Sequence, residues 1–344
     1  MPDPAGGKIL NVVTEARRGC VGIIANPMAG RDVRRLAARA SEVTHQAKRD
    51  AVARIAAGAD AAGVARLLVH EEPFRISTGA VESMELGAAV VAIPASGLSN
   101  GEADTAHAVA AMRERGVDVL VVLGGDGTSR CVARCWSGAP LVPVSTGTNN
   151  VFPRMVEPTL AGAAAGLVAS GRVGLDAVAR PAKVLRIRAP RTADGLALVD
   201  AVLLRDDFVG NRMPFDPARI DRILLTMALP ASVGIAPIGG LVAPLAREAP
   251  EGLLVRCNTG PEDRIVRVPI SPGLYRDVRV GAAQRIAPEV TVLFEGPGVV
   301  AVDGDREIRL DAGETARLEV AHDGPRVIDV EAALAAAAAA RQFG

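Results

Sequence analysis

The sequence predicts an α/β N-terminal domain built on a parallel sheet, followed by an all-β-rich sandwich domain, and three observations carry that prediction. Val119-Leu120-Val121-Val122-Leu123 is a fully apolar run that leads into Gly124-Gly125-Asp126-Gly127-Thr128 and then into an amphipathic segment from Ser129 to Trp136. Before it, apolar runs alternate with helical patterns at an interval that suits strand–helix–strand units with ligands at the carboxyl ends of the strands. Beyond about residue 170 the texture changes to short strand-like runs split by Gly, Pro and Asp. The glycine loop organises the rest. A buried strand ending in glycines before a helix presents backbone N–H groups and the positive end of the helix to a phosphate. Asp126 is unusual in such a cradle, because a carboxylate repels phosphates unless it holds Mg²⁺ or takes a proton from an attacking hydroxyl.

Taken in order, Cys20 to Ala25 reads as a strand closed by the turn residues Asn26-Pro27-Met28-Ala29-Gly30. Asp32 to Val64 has helical spacing with a break near Ser41 to Thr44, and Arg66 to His70 and Ala88 to Ile93 are further strands joined through Ser77 to Glu85. Glu102 to Arg115 is a helix leading into the central strand. Pro140 to Val144 is the next strand, and it ends in a second small-residue loop, Ser145-Thr146-Gly147-Thr148-Asn149-Asn150. Gly and Asn are ordinary turn formers, but two such loops at the ends of successive strands point to a shared cleft. A helix follows Pro158 to about Ser170.

In the second half, strands are expected over Lys183 to Arg188, Ala197 to Arg205, Leu253 to Cys257, Arg264 to Ile270, Val290 to Glu295, Gly298 to Asp303, Glu307 to Leu310 and Ala316 to Ala321. One helix is expected over Pro217 to Met227, and an alanine-rich helix over Val330 to Arg341 must find a partner surface. The expected division is an α/β nucleotide-binding domain over 1–150, a β-rich substrate and oligomerisation domain over 151–325, and a C-terminal helix over 326–344 that packs back.

Composition narrows the partners. With 344 residues the chain has room for two cores. Lysine plus arginine and aspartate plus glutamate both number 39, so no global field draws it to nucleic acid or to an anionic membrane. Cys20, Cys131, Cys135 and Cys257 lack zinc-type spacing and read as reduced, mostly buried thiols. Met1 to Lys8 has no apolar leader core and no later run spans a bilayer, so a soluble cytoplasmic protein is expected.

Gly124-Gly125-Asp126-Gly127-Thr128, with Asn26-Pro27 before it and Ser145-Thr146-Gly147-Thr148-Asn149 after it, resembles the superfamily that joins NAD kinases to diacylglycerol and sphingosine kinases. The strand-then-helix context is the one that gives such a motif its meaning. Ala197-Leu198-Val199-Asp200-Ala201-Val202 is similar to the NAD-kinase segment Ala-Leu-Asn-Glu-Val-Val, with the acid kept as Asp200 and Val199 standing where the amide would be. The stretch Ala231 to Gly240 lacks the family's Thr and Tyr, and Val302-Asp303-Gly304-Asp305 resembles its Asp-Gly-Gln or Asp-Gly-Glu element. These departures resemble the acetoin-catabolism protein X type of ATP-NAD kinase-like proteins.

The resemblance implies an ATP- and Mg²⁺-dependent kinase acting on a hydroxyl of NAD or of a related small metabolite, working as a dimer or tetramer and linked to acetoin catabolism. It assigns Gly124, Gly125, Gly127 and Thr128 to the triphosphate and makes Asp126 the residue that orients or deprotonates the hydroxyl. Asn26 and Gly30 border the nucleotide, and Thr148, Asn149 and Asn150 suit a ribose or another polyol. Asp200 meets either a cation or the substrate, since a buried unpaired carboxylate is costly. Asp303 becomes a candidate metal-organising acid, although Asp303-Gly304 is also the favoured pair of a tight hairpin. Arg205-Asp206-Asp207 and Arg212 read as a solvated face that can line the cleft mouth. Two alternatives stay open: a lipid kinase of the diacylglycerol type, for which no basic amphipathic helix is found, and a non-catalytic nucleotide-binding regulator.

Overall fold

The computed structural model describes residues 17–29, 43–95, 101–147 and 149–342. Its first layer is a seven-stranded sheet in the order β3-β2-β1-β4-β5-β18-β6. The strands are β1 (Cys20–Ala25), β2 (Arg66–His70), β3 (Ala89–Ile93), β4 (Val119–Gly124), β5 (Pro140–Ser145), β6 (Ala179–Pro181) and β18 (Arg326–Ile328). All neighbours are parallel except β18 and β6. β1 and β4 are buried along their whole length, which is why both are unbroken apolar runs. Parallel pairing sends the chain over the faces, and the helices α1 (His45–Ala61), α2 (Ile76–Val81), α3 (Glu102–Glu114) and α4 (Asp126–Cys135) make those crossings, while α5 (Pro158–Ala169) follows β5 and the short helices α6 (Leu175–Val178) and α7 (Ala236–Gly240) come later in the chain.

On one face, Val52, Ile55 and Ala56 of α1 and Ala161, Ala164 and Ala165 of α5 pack on Val21, Ile23, Val119 and Val121. α1 and α5 touch backbone to backbone, since a Cβ on Gly162 would lie 2.0 Å from the Ile55 carbonyl oxygen and one on Gly58 2.1 Å from that of Thr159. The C-terminal helix α8 (Val330–Ala339) lies on the same face and buries Ala333 and Ala337 there. Through α5, β6, β18 and α8, the first layer therefore takes in chain well beyond residue 150.

The other half is a β-sandwich, as expected. A four-stranded sheet in the order β14-β17-β7-β8 uses β7 (Val184–Ala189), β8 (Thr192–Ala197), β14 (Val292–Glu295) and β17 (Thr315–Ala321). A seven-stranded antiparallel sheet in the order β12-β13-β11-β10-β9-β15-β16 uses β9 (Asp200–Leu204), β10 (Ile220–Leu225), β11 (Gly252–Cys257), β12 (Arg264–Ser271), β13 (Leu274–Ile286), β15 (Gly298–Val302) and β16 (Asp305–Leu310). Leu185, Ile187, Leu203, Leu224, Phe294 and Leu318 fill the space between the two sheets.

Three differences from the sequence reading have physical causes. The helix expected over Pro217 to Met227 is one 3₁₀ turn, Pro217–Arg219, followed by β10. Asp216 does cap a turn by accepting from the Ala218 N–H at 3.1 Å, but Ile223, Leu224 and Leu225 are needed between β9 and β11. β13 was not expected, because its outward residues are mostly exposed arginines, Asp, Gln and Gly. α4 starts at Asp126 and not at Ser129, so the glycine loop itself is the first helical turn.

The two halves share a core. α3 and α4 bring Val109, Met112 and Val132 from the first layer into one core with Val202, Ile223 and Val255 of the second sheet and Ile238 of the short helix α7. No helix among the described residues is long and apolar enough to cross a membrane.

Candidate active site

Asp126 is the first residue of α4 and sits where the first sheet, the second small-residue loop and the β-rich half meet. Gly125 occupies the cap position without a side-chain bond, so Asp126 does not cap its own helix. Its carboxylate turns to the loop after β5 instead. It accepts from the Phe152 N–H at 2.8 Å and from the Val151 N–H at 3.1 and 3.2 Å. That loop is closed at its base by Arg154, whose N–H donates to the Pro143 carbonyl and whose carbonyl accepts from the Ser145 N–H at 2.9 Å. Burial, and next the nearby Asp303 carboxylate, push the Asp126 carboxyl up to about 7 against the opposing pull of the two amides and of Arg247.

Arg247 comes from the connection between β10 and β11. It donates to the carbonyl of Phe152 at 3.0 Å and to that of Val151. Its own acidity is unusual, for burial and then Arg154 lower it to about 10 while Asp126 and Glu248 work the other way.

Across the seam, Asp303 and Gly304 form a two-residue hairpin between β15 and β16, with φ of 46° and 90°. The hairpin reading therefore holds for this pair. Both Asp303 oxygens are committed to backbone, accepting from Leu198 at 2.9 Å, Val199 at 2.8 Å and Asp200 at 3.2 Å. Burial raises this carboxyl too, and Arg130 and those amides counter it. Asp200 is buried, and its main chain clasps Asp303 in both directions, with the Asp303 N–H donating to the Asp200 carbonyl at 3.0 Å. Arg130 of α4 donates to the Val302 carbonyl at 2.6 Å and pairs with Glu307 and, at 3.5 Å, with Asp305. Burial opposes the charge on Arg130, but Asp303, Glu307, Asp305 and Glu102 together raise its pKa. One arginine thus crosses the seam in each direction.

The remaining residues expected from sequence are mostly spent on shaping the loops. Asn26 donates to the Thr128 hydroxyl at 2.8 Å, while its side-chain oxygen accepts from Met28 and Ala29, so β1 and α4 are tied together at the glycine loop. Buried Lys48 donates to the Asn26 and Pro27 carbonyls. Gly124 and Gly125 are required by close packing, since a Cβ would meet the Thr128 side chain at 2.6 Å and Asn150 Oδ1 at 2.8 Å. A Cβ on Gly127 would meet only Asp305 Oδ2 at 3.7 Å, which leaves open space above the helix start. Asn150 donates to Ser145 Oγ at 2.8 Å. Thr146 Oγ1 and Asn149 Oδ1 are buried without a protein partner, on the same loop. Gly30 and Thr148 lie outside the described residues.

Among the described residues no three His, Cys, Asp or Glu side chains are grouped to hold a metal. Asp303, named above as a metal-organising candidate, has its oxygens turned to backbone N–H groups. Cavities of about 500 and 570 Å³ flank the first layer, one beside Thr146 and α1, the other between α3, α4 and Arg186, and neither is lined by Asp126 or Arg247. Asp207 is not on a solvated face: its side chain is 2% exposed and pairs with Arg306, 1% exposed, at 2.8 Å. Arg130 was within reach of sequence reasoning, one turn after Asp126 on the same helix. Arg247 carries no local signal.

Two family models match successive parts of the chain. Residues 21–173 match the ATP-NAD kinase N-terminal domain, and residues 183–323 match the acetoin catabolism protein X C-terminal domain. The chain is 32% identical over 333 residues to acetoin catabolism protein X of Cupriavidus necator, covering 91% of each.

Proposed function

The chain belongs to the acetoin catabolism protein X family, with an NAD kinase-like first half, and from that premise we propose that it is an ATP- and Mg²⁺-dependent kinase. Its acceptor is a hydroxyl of NAD or of a related small metabolite. The observation that supports this most is Asp126: a carboxylate at a helix start, in a glycine loop, held at a pKa of about 7 in the seam between the two halves. A base tuned near neutrality suits removal of an alcohol proton at physiological pH. Its Oδ2 accepts a single bond, at 3.2 Å, and so keeps a lone pair for that proton.

Phosphoryl transfer needs positioning and charge neutralisation more than covalent chemistry. On this reading the N–H groups of Asp126, Gly127 and Thr128, free at the start of α4 as in any helix, hold the triphosphate above the open side of Gly127. Mg²⁺, when bound, would neutralise phosphate charge there. Thr146 and Asn149, each with a buried oxygen lacking a protein partner, line the place for a ribose or another polyol. Val199 is 1% exposed and offers no side-chain hydrogen bond where an amide stands in NAD kinases. A smaller hydroxylated metabolite therefore stands beside NAD as acceptor. Assembly as a dimer or tetramer and a cytoplasmic setting belong to the same proposal.

The test offers purified protein ATP and Mg²⁺ with NAD, NADH, small diols or diacylglycerol, one at a time, while ADP release is followed. Release with NAD or a diol supports the proposal. Release with diacylglycerol alone makes it a lipid kinase, and ATP binding without acceptor-dependent release makes it a regulator.

A further inference from the structure

The carboxylate of Asp126 and the guanidinium of Arg247 act on the same peptide group from opposite ends. A trans peptide points its C=O and N–H in opposite directions within one plane. In the Val151–Phe152 peptide, Arg247 holds the carbonyl oxygen of Val151, while the N–H of Phe152 makes the shortest bond to Asp126, at 2.8 Å. Arg247 also holds the next carbonyl, that of Phe152, at 3.0 Å. Both residues are buried, Val151 at 5% and Phe152 at 3% exposed, which limits competition from water for these groups. A rigid planar fork suits two successive carbonyls in a way that a lysine ammonium does not.

The arginine is anchored independently of the loop it grips. Two residues before it, Leu245 is 1% exposed and exchanges both backbone hydrogen bonds with Ala228, at 2.9 and 3.0 Å. The grip therefore comes from the β-rich half, and the residue that receives it belongs to the α/β half. The charged groups bearing on Asp126 are Asp303 of the β15–β16 hairpin and Arg247 itself.

We propose that Arg247 is a positioning residue for Asp126, fixing the Val151–Phe152 peptide and through it the direction of the carboxylate, so that the site is assembled only when the two halves are docked. This rests on the kinase reading for its purpose but not for its geometry. The two can therefore fail separately.

The experiment titrates the amide proton shifts of Val151 and Phe152 in the full chain by NMR, since these N–H groups bond the carboxylate and report its ionisation. Wild type is compared with Arg247→Met and Arg247→Lys, and acceptor-dependent ADP release is measured on the same samples. In wild type the midpoint is expected at about 7. In Arg247→Met it moves up by roughly one pH unit, as loss of a nearby opposite charge and of the grip that aims the Phe152 N–H at the carboxylate requires, and Arg247→Lys falls between. ADP release falls about tenfold in kcat for Arg247→Met, with KM for ATP within about twofold, the pattern of a lost transition-state interaction. A variant that only loses packing melts earlier with its midpoint unmoved, and that result overturns the proposal. Should Arg247→Met not fold, Arg247→Lys decides by the same midpoint. If wild type releases no ADP with any acceptor, the kinase reading fails while the titration still judges Arg247.

Discussion

Asp126 carries a pH signature that separates it from an ordinary surface acid. Its folded pKa of about 7 lies above the usual carboxylate value, so the folded state binds the proton more tightly than the unfolded chain does. The stabilisation from this group is complete below about pH 4 and is lost as pH rises through about 7. Wild type is expected to lose on the order of 4 kcal/mol over that interval relative to Asp126→Asn, as read from urea midpoints at a series of pH values. A constant difference between the two proteins would place the carboxyl in water. Asp126 was legible because a buried strand, glycines and a helix surround it in sequence. Arg247 was not, since it acts on residues 95 and 96 positions away and Pro-Leu-Ala-Arg-Glu-Ala-Pro gives no local cue. Asn26 and Thr128 were legible as polar residues of the right loops, but their bond to each other, 102 positions apart, was not.

At the level of elements, β1, β4 and β5 were readable as strands because burial on both faces leaves no polar residue in them except at the ends. β10 was misread because a cap residue and Pro217 announce a helix that the sheet then takes over. β13 was missed because one face is open to water and the alternation is blurred by Gly281 and Ala282. The three-residue β6 and β18 are too short to leave any pattern, yet they join the chain after α5 and the chain before α8 to the first sheet. α1 and α5 were readable as helices, but their close approach depends on two glycines that look like weak helix formers. Gly162→Ala is expected to destabilise the protein by about 1–3 kcal/mol in urea unfolding, because its Cβ would lie 2.0 Å from the Ile55 carbonyl oxygen and the helices must part. An unchanged midpoint would mean that the α1–α5 contact yields without loss.

For the molecule as a whole, the two halves are held by a shared apolar core and by arginines that cross between them. Arg130→Met removes the donor to the buried Val302 carbonyl and the cation beside Glu307, and is expected to lower stability by about 1–3 kcal/mol, measured by thermal unfolding at pH 7. The sandwich was legible from the change of texture after residue 170. The seam was not, because its partners are spread over the chain from Asp126 to Glu307 and meet only through tertiary packing. In the proposed reaction Asp126 faces an acceptor alcohol across that seam. Its most direct measurement is acceptor-dependent ADP release by wild type and Asp126→Asn between pH 5.5 and 9. Wild-type rates should rise through about pH 7 as the carboxylate ionises, and Asp126→Asn should be slower by about 100-fold or more while still binding ATP. Equal rates in the two proteins, or a wild-type profile flat across that range, would contradict it.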